Sequence, residues 1–131
     1  MRFLLLCSIF LGLLLTPLLT IAQVQRSQLT SNINEREPVD TLTEDITLAP
    51  GEVRKVFFFT HISDLANQQI THRWLYQGDE KAAVNLHIGS DNWRTYSSKM
   101  IPSYWAGEWQ VQVWYGDLQL ITHNFTVTVE Q

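Results

Sequence analysis

The 131 residues include one cysteine, four prolines and six glycines, and each scarcity excludes something. Cys7 lies within the apolar run "FLLLCSIFLGLLLTPLLTIA" of residues 3–22. A chain that loses this run has no disulfide and no thiol chemistry. Leu4, Leu5 and Leu6 precede Cys7 where a lipoprotein signal requires small residues, which argues against lipid attachment. Glycine is too sparse to form a phosphate-cradling loop between a strand and a helix. Basic residues are also short: without Arg2, eight lysines and arginines face thirteen carboxylates, a formal charge of −5. That balance favours solubility and gives no general attraction to nucleic acid. Beyond residue 22 there is no long apolar run and no segment with a helical period.

The apolar run itself reads as a targeting segment. Arg2 precedes it, and Thr20 and Ala22 suit the positions three before and one before a signal-peptidase cut. Residues 1–22 are therefore expected to form a signal peptide. About 20 apolar residues also suffice to cross a bilayer, so N-terminal membrane anchoring is the alternative, although Thr16 and Pro17 favour processing. Export without disulfides points to a bacterial envelope, with the protein periplasmic or secreted. The remaining 109 residues make one domain.

Residues 23–44, "QVQRSQLTSNINEREPVDTLTE", are polar, lack a period and contain Pro38, so they read as a flexible leader. The remainder, 45–131, reads as β structure. "DITLAP" can supply a short edge strand, Pro50-Gly51 marks a turn, and "VRKVFFFTHI" is the strongest strand-forming run. Its apolar groups fall on both faces, as in a sheet covered on both sides. Ile70, His72, Trp74 and Tyr76 then share one face, Val84, Leu86 and Ile88 alternate, and Trp109, Val111 and Val113 oppose Gln110, Gln112 and Trp114. Phe125, Val127 and Val129 close the chain on one face. Six to eight short strands between Gly, Asn, Asp and Pro turns predict an all-β fold, a small antiparallel β-sandwich of immunoglobulin-like type. No Cys-Trp-Cys arrangement accompanies it.

The order of motifs carries a family likeness. His72 and Trp74 open a strand, Gly78 turns the chain, and Trp93-Arg94-Thr95 leads into Ser97-Ser98-Lys99; Gly107 and Trp109 then start a strand, and Phe125-Thr126-Val127 ends the pattern. Residues 72–127 resemble the bacterial domain of unknown function DUF2914. The chain departs from that pattern at Tyr96, where tryptophan is usual, and in the extra "SYW" before Ala106. The resemblance implies a bacterial envelope or membrane-associated domain and supplies no activity. It marks His72, Trp74, Trp93, Gly107, Trp109 and Phe125 as structural positions.

The chemistry-bearing residues form no catalytic pattern in sequence. Ser97, Ser98 and Ser103 lack a nucleophile elbow and an identifiable base. Asp91 with Glu108 is the only pairing of carboxylates with a hydrolytic reading. His61, His72, His87 and His123 have no metal-ligand spacing, and neither cofactor nor metal is expected. Aromatic residues offer more: Tyr104, Trp105 and Trp114 could present flat faces to sugar rings, oriented by Asn92, Gln110 and Gln112. Arg94 and Lys99 add a candidate anion contact, with Arg94 expected to reach Glu108 or Asp91 when structural. Nothing resembles the basic and aromatic interleaving of a nucleic-acid site. The expected role is a noncatalytic cell-envelope domain that binds an envelope protein or a glycan; the alternatives are a carbohydrate-binding module and a hydrolytic enzyme.

Overall fold

The computed structural model describes Gly12 and residues 23–131. The expected signal peptide lies outside the described residues. Among the described residues ten strands follow one another: β1 (Val24–Thr30), β2 (Ile33–Asn34), β3 (Glu37–Pro38), β4 (Asp45–Leu48), β5 (Val53–Ser63), β6 (Gln69–Tyr76), β7 (Asp79–His87), β8 (Asn92–Pro102), β9 (Gly107–Tyr115) and β10 (Leu118–Val129). A short 3-10 turn, Ser103–Trp105, joins β8 to β9.

Two sheets face each other, one ordered β1-β5-β8 and the other β4-β10-β9-β6-β7. All pairings are antiparallel except β4, which runs parallel to β10. This order is immunoglobulin-like: the A, B and E positions form one sheet and the G, F, C and C′ positions the other. The D position, beside β8, is empty among the described residues. The predicted all-β sandwich is therefore the observed fold.

Period-two alternation explains which side chains fill the core. Ile70, His72 and Trp74 on β6, Trp109, Val111 and Val113 on β9, and Phe125 and Val127 on β10 are all buried. Edge-on aromatic packing ties the sheets together, with Phe58 of β5 6.5 Å from Trp74, and continues within the five-stranded sheet, with Trp74 6.4 Å from Phe125. Trp109 stacks on Phe125 at 6.0 Å. Its indole Nε1 donates to the carbonyl of Trp105 at 2.9 Å, pinning the 3-10 turn much as a tyrosine corner pins an immunoglobulin domain. Turn chemistry sets two crossings. Pro50-Gly51 closes on an Ala49–Glu52 hydrogen bond with Gly51 at φ +81. Gly107 has φ +136, and a Cβ there would lie 2.8 Å from the Gln77 amide nitrogen.

The leader expected over 23–44 is instead part of the sandwich. β1 pairs with β5, and Leu29 and Thr30 are fully buried. The reason is tertiary: β1 is an edge strand whose only core-facing apolar groups are few, so its own sequence shows no period. Residues 39–42 then run back along its outer edge. Leu42 donates its N–H to the Leu29 carbonyl at 2.9 Å, and Asp40 accepts from the Thr30 hydroxyl and the Ser31 N–H at 2.8 Å each. Those bonds hold the Asp40 carboxyl below its ordinary pKa, the Ser31 hydroxyl and N–H first and Thr30 after them.

Candidate functional site

Three places bring chemistry-bearing side chains together. The first is buried. Trp74 Nε1 donates to Ser97 Oγ at 3.0 Å, and Ser97 Oγ lies 2.7 Å from His72 Nδ1; His72 Nε2 lies 3.1 Å from Thr60 Oγ1, which donates to the Thr95 carbonyl. Indole N–H can only donate, so one proton arrangement satisfies every member: Ser97 donates to Nδ1, and Nε2–H donates to Thr60. This arrangement requires a neutral imidazole. Burial pushes the His72 pKa down to about 3.

Ser97 does therefore have a histidine at hydrogen-bond distance, which the sequence did not reveal. Both groups are buried, Trp74 occupies the serine oxygen, and a threonine stands where a hydrolase would place a carboxylate. Asp91 and Glu108 lie elsewhere and apart. Asp91 accepts from Asp64 and Ala66 N–H groups in the loop before β8, and Glu108 contacts Thr126 at the start of β9.

The second place is the outer face of the three-stranded sheet. Arg26, His61 and Arg94 form one cross-strand row. The β2–β3 hairpin brings Glu37 above it, accepting from Arg26 Nη2 at 2.7 Å and from Arg94 Nη1 at 2.6 Å. Arg94 thus pairs with neither Glu108 nor Asp91, because its side chain points away from both. Its partner comes from the segment read as a leader. The bonds from Arg26 and then Arg94 hold the Glu37 carboxyl below its usual range. Beneath this roof Phe59 is 0 % exposed, with the Arg26 guanidinium 4.8 Å above its ring. Arg36 at the hairpin tip lies 5.3 Å from the Trp93 ring.

The third place surrounds the 3-10 turn. Trp105 stacks on Tyr76 at 6.0 Å and meets Tyr104 edge-on at 5.8 Å. Lys81 Nζ of β7 and Lys99 Nζ of β8 lie over the same indole at 4.8 and 5.4 Å. Neither lysine forms an ion pair among the described residues. Tyr104 is 78 % exposed. Of the five residues expected to contact a ligand, Tyr104, Trp105 and Lys99 converge here, while Arg94 and Trp114 do not.

Trp114 belongs to the outer face of the five-stranded sheet, about 16 Å along β9 from Trp109 at 3.3 Å per residue. Arg73 covers its ring at 4.6 Å, and its Nε1 donates to Gln112 at 2.8 Å. The Arg73 Nε is 3.5 Å from Glu80, an ion pair without hydrogen-bond geometry. A two-tryptophan sugar platform is therefore not formed. Asn92 is engaged by His61 and Ser90, and Gln110 by Gln112.

Of the structural positions, His72, Trp74, Trp109 and Phe125 lie in the core, with Trp93 half-buried against it. Trp93 also packs on Gly89, where a Cβ would meet its ring at 2.7 Å. The histidines are dispersed. His61 lies on the three-stranded face, His72 is in the core, His87 ends β7 and His123 lies 5.7 Å from Phe58. Among the described residues no group of three His, Cys, Asp or Glu could hold a metal.

No curated protein matches the chain. An immunoglobulin-like protein from Pseudomonas aeruginosa is similar in structure, with 13 % identity over 78 % of this chain and 91 % of that one, at a TM-score of 0.48. A β-glucosidase from Listeria innocua shares 10 % identity over 79 % of this chain at a TM-score of 0.41, and the match spans 16 % of its length. An alkylpurine DNA glycosylase from Pseudomonas fluorescens shares 12 % identity over 81 % of this chain and 30 % of its own, at a TM-score of 0.43. The immunoglobulin-like arrangement rests on the strand order of the chain itself. The family model for a protein of unknown function, DUF2914, matches residues 67–127. That segment carries β6 to β9 and most of β10 but omits β5, which pairs with β8. Over residues 67–127, this chain is similar to the DUF2914 family.

Proposed function

We propose that the chain is a noncatalytic interaction domain of the bacterial cell envelope, periplasmic or held at the membrane by its N-terminus, whose partner is a protein. The observation that carries this reading is the dispersal of His72, Asp91, Arg94 and Glu108. A hydrolytic site needs such groups within hydrogen-bond reach of one substrate. Here the histidine is sealed in the core, the arginine is clamped by Glu37, and the two carboxylates bind a backbone N–H in the loop before β8 and a threonine of β10, at separate places. The glycan alternative is weakened because Trp105 and Trp114 each have a ring face occupied by other side chains.

The test is photo-crosslinking in the producing cells, with a photoreactive residue placed in the full chain at Tyr96, Met100, Gln119 or Thr122 in turn. A specific protein adduct at one face and not the other is the expected result. Absence of an adduct at every position, together with substrate turnover by the purified protein, would sink the interaction reading.

A further inference from the structure

Sheet edges expose unpaired N–H and C=O groups, and folded proteins blunt them with short strands, charges, bulges or covering segments. Three of the four edges here are treated that way. β1 is covered by residues 39–42. β4 has only four residues. β7 is bulged opposite β6 and begins with Asp79, Glu80 and Lys81. The fourth, β8, is eleven residues long and pairs with β5 in unbroken register from Asn92 to Pro102, and no strand among the described residues pairs with its other side.

The unoccupied lane beside β8 also leaves apolar surface uncovered. The inward residues of β7, Ala82, Val84 and Leu86, are only half-buried, because the three-stranded sheet ends at β8. On the outer side of β8, Tyr96 is 45 % and Met100 50 % exposed. A strand in this lane would cover both sets, with alternate residues facing β7 and the outside. Lys81 and Lys99 stand at the end of the lane nearest the C-terminus of β8, over Trp105 and without a carboxylate.

We propose that the free edge of β8 accepts an extended segment of a partner protein as an added antiparallel strand. The segment is apolar at alternate residues, and its N-terminal end carries carboxylates that meet Lys81 and Lys99. Main-chain bonds supply affinity and the alternating side chains supply selection, as in other strand-addition complexes. Antiparallel pairing fixes the polarity: the N-terminal end of the incoming strand lies beside Lys99. This inference rests on the interaction reading and names its site.

The probe is a short synthetic peptide of alternating valine and threonine preceded by two glutamates, added to the protein purified from its producing cells. Binding is followed by amide hydrogen exchange and tryptophan fluorescence. Alternate amides of residues 93–101 gain protection. A peptide with lysines in place of the glutamates binds about tenfold more weakly, as loss of charge-assisted contacts requires. A peptide N-methylated at alternate nitrogens does not bind, and a K81E/K99E double variant reverses the preference between the acidic and basic peptides. Absence of binding, equal affinity for the two peptides, or protection confined to another surface overturns the proposal. So does protection, in the protein alone, of those β8 amides that face away from β5, which assigns the lane to a second copy if the species is a dimer and to the chain itself if it is a monomer. Crosslinks at Gln119 or Thr122 with none at Tyr96 or Met100 would leave the interaction reading standing and remove strand addition alone.

Discussion

The two edges of the three-stranded sheet are built differently. Along β1, residues 39–42 cap the edge by backbone and Asp40 bonds, and Glu37 clamps Arg26 to Arg94 across the sheet. Along β8, a longer and more regular edge has no such cover among the described residues. One segment, 31–42, closes the sandwich on one side only. A fold able to seal an edge at β1 leaves its longest edge strand open beside exposed Tyr96 and Met100.

Breaking the closed side has the largest expected effect. Leu29→Ala removes a fully buried side chain from β1 and should cost about 2–5 kcal/mol, the range for buried leucine deletions. Urea unfolding of the variant measures it. A loss under about 0.5 kcal/mol would mean that β1 is dispensable, as surface substitutions are.

Acid comes next. His72 has its folded pKa depressed to about 3 against an ordinary 6.5. The unfolded chain therefore binds the extra proton, and stability is complete above pH 6.5 and falls as pH drops toward 3. The loss at pH 4.5 should be about 2–3 kcal/mol at 1.36 kcal/mol per pH unit. His123, lowered by burial and opposed by Glu44, adds a smaller slope of the same sign. His72→Gln should flatten most of the decline between pH 6.5 and 4.5; an unchanged slope would show that His72 is not its source.

Asp40→Ala should cost about 1 kcal/mol through the bonds to Thr30 and Ser31, a typical hydrogen-bond increment. Its signature is faster amide exchange at residues 39–42 without change at β8. Glu37→Gln is gentler, because the carboxylate is solvent-exposed. It should leave the unfolding midpoint nearly unchanged while exchange in the β2–β3 hairpin rises, and unaltered exchange would show that the Arg26–Glu37–Arg94 clamp does not hold the hairpin. At the open side, K81E/K99E should cost about 1 kcal/mol or less, through the loss of exposed cation–π contacts with Trp105 and of the bond from Lys99 Nζ to the Met100 carbonyl.

Core faces were legible where burial imposes a period of two. Trp74, Trp109, Val111 and Phe125 declare their direction by alternation, and Pro50-Gly51 and Gly78 declare turns through the backbone geometry they favour. The first three strands were not. In "VQRSQLT" the core side is confined to Val24 and Leu29, and the β2–β3 turn uses Glu35 and Arg36 at φ 50 and 65 where glycine or asparagine would announce it. The aromatic-basic cluster was legible in part. Tyr104, Trp105 and Lys99 are near in sequence and meet in space, but Lys81 reaches the same indole from β7, and a contact across two sheets leaves no local signal.

By itself the sequence determined the strand class, the turn positions and the inward faces, because backbone sterics and side-chain alternation act within a few residues. Tertiary structure alone decided that 23–44 joins the fold, that Arg94 pairs with Glu37, that Ser97 meets His72, and that no strand among the described residues pairs with the free edge of β8. Each of these depends on which strands lie side by side. Strand order follows from how two sheets bury a shared core, and no stretch of chain carries that information alone.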